Sequence, residues 1–319
     1  MPEKDKSLYI SNFNMKKFLR KTVWFIIPIF LGWLALESFY RFIPNNYTEK
    51  QKQILRSYDS EILILGNSHS FYGINPSFFT QKAYNFSNIS QSLYFDELLL
   101  EKHITHFENL KYVILTIDYF TLSQEDDTSE DLWRKYYYQQ YMDIEVPSIA
   151  KIDFKSYSLA TTRNLEMNIE LLRKYRNEKK LIECNDLGWG SYEGINPEYN
   201  NLATAIDIAK KNEDGLTDFK SNELRLQRMI NLCNKNEVRL VLITMPVTSY
   251  YAENINQNKL KKVVASCNYF EEKNKNVIYL NLFQSPQFDN NDFYDTDHLN
   301  SKGATKCSRI LNQFIIALK

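Results

Sequence analysis

Glu61-Ile62-Leu63-Ile64-Leu65-Gly66-Asn67-Ser68-His69 is the stretch on which the fold turns. Its continuous apolar run ends abruptly at a glycine, the pattern of a short strand buried on both faces. Similar runs follow at Lys82–Phe86, Tyr112–Ile117, Val238–Thr244 and Val277–Leu282, while Leu93–His106, Asn222–Lys235 and Lys259–Glu272 carry apolar residues at helical spacing. Strands alternating with helices predict a parallel sheet with helices on both faces. A polar helical stretch, Thr48–Tyr58, precedes the first strand. A terminal helix, Lys302–Leu318, follows capping side chains at Asn300-Ser301 and sets Ala304, Cys307, Ile310, Leu311, Phe314 and Ile315 on one face.

A chain of 319 residues can hold one large domain, or a core domain carrying an insertion. Its 39 basic and 39 acidic residues cancel and form no basic face interleaved with aromatics, so no nucleic-acid partner is expected. The 22 tyrosines and 20 phenylalanines can fill cores or stack on sugars, and the core is the simpler destination. Cys184, Cys233, Cys267 and Cys307 form no Cys-x-x-Cys pair, which argues against a sulfur-ligated metal. Cys233 and Cys307 fall in helical stretches, where a free thiol behaves as a small buried hydrophobe. Spacing alone leaves disulfide pairing open.

Val23–Leu36 is an uncharged run, extended past Glu37 by Phe39, Tyr40, Phe42 and Ile43. It is read as an uncleaved transmembrane anchor over 22–43. Its strictly apolar part falls short of the roughly 20 residues of a full span, so a signal peptide is the competing reading, but no small-x-small cleavage site follows. A buried core helix is the other alternative, since Pro28 and Gly32 suit either setting. Lys16, Lys17, Arg20 and Lys21 flank the run. The positive-inside rule then leaves residues 1–21 as a cytoplasmic tail and 44–319 as an extracytoplasmic α/β domain, periplasmic or extracellular.

The alternation breaks between about residues 122 and 221, where an acidic run (Glu125-Asp126-Asp127), a tyrosine cluster (Tyr136-Tyr137-Tyr138, Tyr141) and a turn-rich stretch from Asp186 to Tyr199 occur. A segment this long is expected to be a mostly helical insertion that covers one end of the sheet and shapes a site there. Trp189 and Tyr192 can be read as a carbohydrate platform or as a packed turn, and the packed turn is favoured because Gly-rich turns commonly bury a neighbouring aromatic.

Ser68 arrives at the carboxyl edge of a parallel sheet, where α/β proteins place ligands. Such a serine is a nucleophile if an imidazole takes its proton and backbone N–H groups hold the oxyanion, or simply a helix N-cap. Near the other end, Asp295-Thr-Asp-His298-Leu-Asn-Ser-Lys-Gly303 sets a carboxylate three residues before one of only four histidines. That spacing lets Asp295 orient His298 and stabilise its cation, or else forms a capping turn. Asp297 adjoins the histidine, which makes orienting that ring awkward, and no catalytic role is assigned to it. His103 and His106 lie three apart on one helix face and could ligate a metal, but a solvated face is the simpler account and no metal is expected. His69 can contact substrate or pack in the turn.

Together the Gly66-Asn67-Ser68-His69 turn and the Asp295-x-x-His298 pair resemble the SGNH/GDSL hydrolases. The resemblance covers the alternating core, about two-thirds of the chain. It implies a three-layer α/β/α, flavodoxin-like fold with a central parallel sheet of about five strands. It also implies Ser68 as nucleophile, His298 as base and Asp295 as its partner, with no cofactor. Three departures stand out. Asn67 replaces the usual Asp. Gln91 falls where a glycine donates its backbone N–H, and Asp118-Tyr-Phe-Thr121 replaces Gly-x-Asn-Asp, which removes a side-chain oxyanion donor that Asn88 could replace. Oxyanion and substrate contacts are thus expected from Gln91, Asn88 and Asn67. The resemblance further implies carboxylic-ester chemistry, by hydrolysis or O-acyl transfer, on an acylated polysaccharide or other cell-envelope glycan. A transferase would draw on a membrane-bound O-acyltransferase partner. The alternative is a non-catalytic glycan-binding or assembly module of an envelope O-acylation system.

Overall fold

The computed structural model describes residues 15–124 and 132–318. The acidic run Glu125-Asp126-Asp127 and most of the expected cytoplasmic tail lie outside the described residues. Five strands form one parallel sheet: β1 (Ile62–Leu65), β2 (Ala83–Asn85), β3 (Tyr112–Thr116), β4 (Arg239–Thr244) and β5 (Val277–Asn281), in the order β2-β1-β3-β4-β5. Each lies within a run identified from its apolar pattern, trimmed by one or two residues.

Residues of alternate parity along each strand face opposite layers. Leu63, Leu65, Val113, Leu115, Leu240 and Leu242 pack against α4 (Leu93–His103), α8 (Lys220–Lys235) and α10 (Gln257–Lys273), the last preceded by the one-turn α9 (Ser249–Ala252). Ile62, Ile64, Ile114, Val241 and Ile243 pack instead on α11 (Ser301–Ala317), through Cys307, Leu311 and Ile315. All four cysteines are free, and Cys233, Cys267 and Cys307 are buried in these layers. The fold is the expected three-layer α/β/α, with the order of a flavodoxin-like sheet, in which ligands sit beyond the carboxyl ends of the strands.

Before the sheet, α1 (Met15–Phe42) is long and apolar enough to cross a membrane, and its most apolar stretch is nowhere buried by the rest of the chain. Its far end is fastened to the domain: Trp33 Nε1 donates to Ser158 Oγ (3.0 Å), Glu37 accepts from Ser158 Oγ and Ala160 N, and Tyr40 donates to Asn168 Oδ1 (2.6 Å). α2 (Asn46–Ile54) then leads to β1 behind an Asn45 cap. Among the described residues of 122–221 the α-helices are α5 (Arg134–Met142), α6 (Leu165–Glu178) and α7 (Leu202–Asn212), joined by long connections with short 3-10 turns. The tyrosine cluster belongs to the core: Tyr136, Tyr137 and Tyr138 are all buried.

Candidate active site

Gly66 ends β1 in the left-handed region (φ 126°), and a Cβ there would lie 2.6 Å from Ser70 Oγ and 2.8 Å from Thr116 Cβ. Only glycine permits this turn. The chain swings directly into the short α3 (Ser68–Gly73), whose cap is Asn67 rather than Ser68: Asn67 Oδ1 accepts from His69 N at 2.9 Å. Ser68 is thereby left free of capping. From the other chain end, Asp295 Oδ1 accepts from the backbone of Asp297 and His298, folding the loop so that the imidazole faces α3. Gly303 locks the following helix, since a Cβ there would meet Asp292 O at 2.0 Å.

The two ends meet. His298 Nε2 lies 2.9 Å from Ser68 Oγ, and its Nδ1 lies 3.0 and 3.1 Å from the Asp295 carboxylate oxygens. That network sets the tautomer, with Nδ1–H donating to Asp295 and Nε2 accepting the serine proton. It is the nucleophile, base and orienter geometry of a serine hydrolase on a parallel α/β sheet. The three-layer α/β/α sheet and this geometry fit the fold that the resemblance to SGNH/GDSL hydrolases implies.

No family model matches the chain, and no curated protein matches it. Among solved structures it is similar to a GDSL-like lipase of Bacteroides thetaiotaomicron, at 10% identity over 85% of this chain and 100% of that one, with a TM-score of 0.41. It is also similar to a structure from Bacteroides fragilis described as a "putative acylhydrolase", at 11% identity over 81% of this chain and 88% of that one, with a TM-score of 0.39. At these values neither assigns this chain a substrate.

The SGNH-type triad borders a cavity of about 730 Å³ lined by Asn67, Ser68, His69, Ser90, Tyr192 and His298 among others. The insertion supplies part of that wall through Glu183, Ile208, Lys211 and Leu216. Tyr192 is packed, as favoured for it, between Tyr72 (3.9 Å) and Tyr294 (4.0 Å), and it also lines the cavity. Trp189 is a packed turn residue whose Nε1 donates to Tyr72 O.

Two of the expected oxyanion contacts fall elsewhere. Gln91 is buried and does not reach the catalytic cavity: its N–H donates to Asn88 O, its side-chain amide donates to Asp96, and its Oε1 accepts from Tyr138. The alignment is one residue out. Ser90 takes the left-handed conformation (φ 52°) that a glycine would favour and lines the cavity. The backbone N–H groups of Ser90 and Ser68 have no hydrogen-bond partner among the described residues. Asn88 lines a neighbouring cavity and not the catalytic one. Asn67 does line the site, and its difference from the Asp usual in SGNH/GDSL hydrolases has a local cause. Its Nδ2 donates to Asp118 Oδ2 at 3.1 Å, whereas an aspartate would set two carboxylates against each other.

Sequence reasoning missed the second ionic cluster. His69 is 3% exposed, with Nδ1 2.8 Å from Asp118 Oδ2 and Nε2 3.3 Å from Asp297 Oδ2. The shorter contact pairs charges off the line of the N–H. Asp297 also lies 3.3 Å from His298 Nδ1, close enough to act on its charge although Asp295 holds the aligned hydrogen bond. Burial opposes charge on His69, but Asp118 and Asp297 outweigh it and raise its pKa to about 9. Burial likewise opposes charge on His298, and Asp297 and Asp295 overcome it, holding its pKa well above the ordinary value. Asp297 itself resists protonation: burial favours the neutral acid, and the two imidazoles more than reverse that. The available signal was Asp118 at the end of β3, in the place of the missing Gly-x-Asn-Asp.

One group with ligand spacing appears among the described residues, His69, Asp297 and His298, whose donor atoms lie within 4.8 Å of one another. All three already hold one another in the catalytic network. The face expected to be solvated at His103 is instead buried. Its Nδ1 is paired with Tyr58 OH at 2.8 Å, and burial lowers its pKa to about 4, helped by Lys102 and His106.

Proposed function

We propose that the chain is a serine-dependent carboxylic-ester enzyme, anchored by α1, that hydrolyses or transfers acyl groups on an extracytoplasmic cell-envelope glycan. The observation that carries the chemistry is the 2.9 Å contact between Ser68 Oγ and His298 Nε2, continued at 3.0 Å to Asp295. In this reading Ser68 attacks the ester carbonyl while His298 takes its proton. The tetrahedral oxyanion accepts from the Ser68 and Ser90 N–H groups. Collapse returns the proton through His298 to the leaving alkoxide, and water or a sugar hydroxyl then releases the acyl group from Ser68. Asp295 holds the ring and offsets its transient positive charge.

The glycan reading is supported by the apolar length of α1 and its basic flank, which under the positive-inside rule favours an outward-facing domain, and by the aromatic wall at Tyr192. An acyl donor crossing the membrane would be supplied by a membrane-bound O-acyltransferase. The test is fluorophosphonate labelling of the full chain in detergent, read by mass spectrometry at Ser68, beside turnover of p-nitrophenyl acetate and acetylated glycans. Labelling at Ser68 that disappears in Ser68→Ala and collapses in His298→Ala is expected. Identical turnover by wild type and both variants would sink the catalytic reading. Glycan-dependent acceleration of acyl release marks the transferase, and its absence the hydrolase.

A further inference from the structure

Beside the catalytic cavity, and sharing Ile89 and Glu183 with it, lies a second cavity of about 290 Å³ at the far end of α1. Phe39 and Tyr40 of α1, with Ile43 just past its end, form one wall, and Asn88, Trp133 and Arg163 close it from the domain. Three of its polar groups share one property. Asn88 Nδ2, Trp133 Nε1 and Arg163 Nε are buried donors without an acceptor, and the Asn88 and Trp133 residues are only 2% and 8% exposed. The Arg163 guanidinium lies 3.6 Å over the Trp133 ring, which fixes it in place. Glu183, the carboxylate on the same wall, is already paired with Lys174. Buried donors left unmade are costly, and a set consisting of donors and a fixed cation matches an anionic, oxygen-rich ligand.

A separate observation sets the level at which that ligand arrives. Ile152, Phe154, Tyr157 and Leu165 are 87%, 86%, 74% and 74% exposed, a density of bare apolar side chains unusual for a water-facing loop. The segment that bears them is tied to the end of α1 through Arg41 to Tyr157 O and through Trp33 and Glu37 to Ser158. Apolar side chains beside the exit of an anchor, flanked by Lys151 and Lys155, suit the interface of an anionic bilayer.

We propose that this cavity is a headgroup site for the phosphate of an outer-leaflet lipid whose acyl chains stay in the bilayer against α1. The inference rests on the reading of α1 as a membrane anchor. The phosphate oxygens accept from Arg163, Asn88 and Trp133, and the lipid holds the domain with its catalytic cavity at a fixed distance from the membrane.

The test reconstitutes the full chain in phosphatidylcholine nanodiscs carrying phosphatidylglycerol or diacylglycerol, and counts retained lipid by native mass spectrometry after extraction. Retention of phosphatidylglycerol over diacylglycerol is expected. Arg163→Gln should lower it about tenfold, and Trp133→Phe, which keeps the ring under Arg163, about threefold. An unchanged melting midpoint shows that each variant is folded. Equal retention by wild type and a folded Arg163→Gln overturns the proposal. So does binding of inorganic phosphate alone as tightly as the lipid, which would assign the site to a soluble anion. A chain that never partitions with membranes defeats the anchor reading itself. A membrane-bound chain with unselective retention defeats only the lipid site.

Discussion

Two imidazoles stand 4.9 Å apart at the edge of this sheet, each between carboxylates, yet only one is built to move a proton. The His298 side chain is 19% exposed, borders the cavity and offers Nε2 to Ser68. His69 is sealed, with a carboxylate at each nitrogen. The same chemical group is a base where one nitrogen faces a hydroxyl, and a fixed cation where both face anions. The difference lies in what borders each ring, and it predicts unequal responses to the same mutation.

The largest inequality is expected in the rate of fluorophosphonate labelling at Ser68. His298→Gln should lower it by at least about 10³-fold, because the proton acceptor is gone. His69→Gln should leave labelling measurable, about tenfold slower, since it disturbs only the charge behind the base. If the two variants lose equally, the distinction between mobile and fixed proton fails.

A second test separates the carboxylates. Asp295→Asn removes the aligned partner of Nδ1 and favours the wrong tautomer, with an expected loss of about 10³-fold in labelling rate. Asp297→Asn should cost no more than about tenfold on the pH plateau, and its signature is the pH profile. His298 must be neutral to accept the serine proton, and Asp297 is the first of the charges that raise its pKa. Removing that charge lowers the pKa, so the acid limb should move to lower pH. A shift to higher pH, or none, would show that Asp297 does not act on the base.

Much of the scaffold behind these rings was legible in the chain, and the reason is physical. The strands of a covered parallel sheet are buried on both faces and read as short apolar runs, as Ile62–Leu65 and Leu240–Ile243 do. Ser68, Asp295 and His298 were legible because local turns dictate their spacing. Ser90 was displaced by one residue because a left-handed turn can be built on a serine, and no sequence pattern marks that choice. The His69 cluster was illegible because its members come from three distant segments, at 69, 118 and 297, and only the sheet order brings them together. The insertion followed neither period, and its buried tyrosines gave no sign of which partners they would meet.

A third effect is thermodynamic and smaller. His69 has its pKa raised from 6.5 to about 9, so its folded form holds a proton that the unfolded chain releases earlier. Its contribution is complete below pH 6.5 and is lost as pH rises through about 9, amounting to about 3 kcal/mol by linkage. The melting midpoint of the full chain in detergent should therefore fall between these pH values. His298 shifts in the same direction, so His69→Gln should flatten the decline without abolishing it. A midpoint that rises over this window would mean that His69 is neutral in the fold.

The smallest effect concerns the one part of the site that neither histidine arm reaches. In the proposed mechanism Ser90 serves the oxyanion through its backbone N–H, and it holds φ at 52°, a conformation that costs a side-chain-bearing residue about 1–2 kcal/mol. Ser90→Gly keeps the N–H and removes that cost, against the entropy of a freer unfolded chain, so it should stabilise the protein by about 0.5–1 kcal/mol and leave labelling within about twofold. Ser90→Ala keeps the strain along with the N–H and should match wild type in both measurements. If Ser90→Gly instead slowed labelling as strongly as loss of a donor, about 10²-fold, the hydroxyl and not the backbone would be the group that meets the oxyanion.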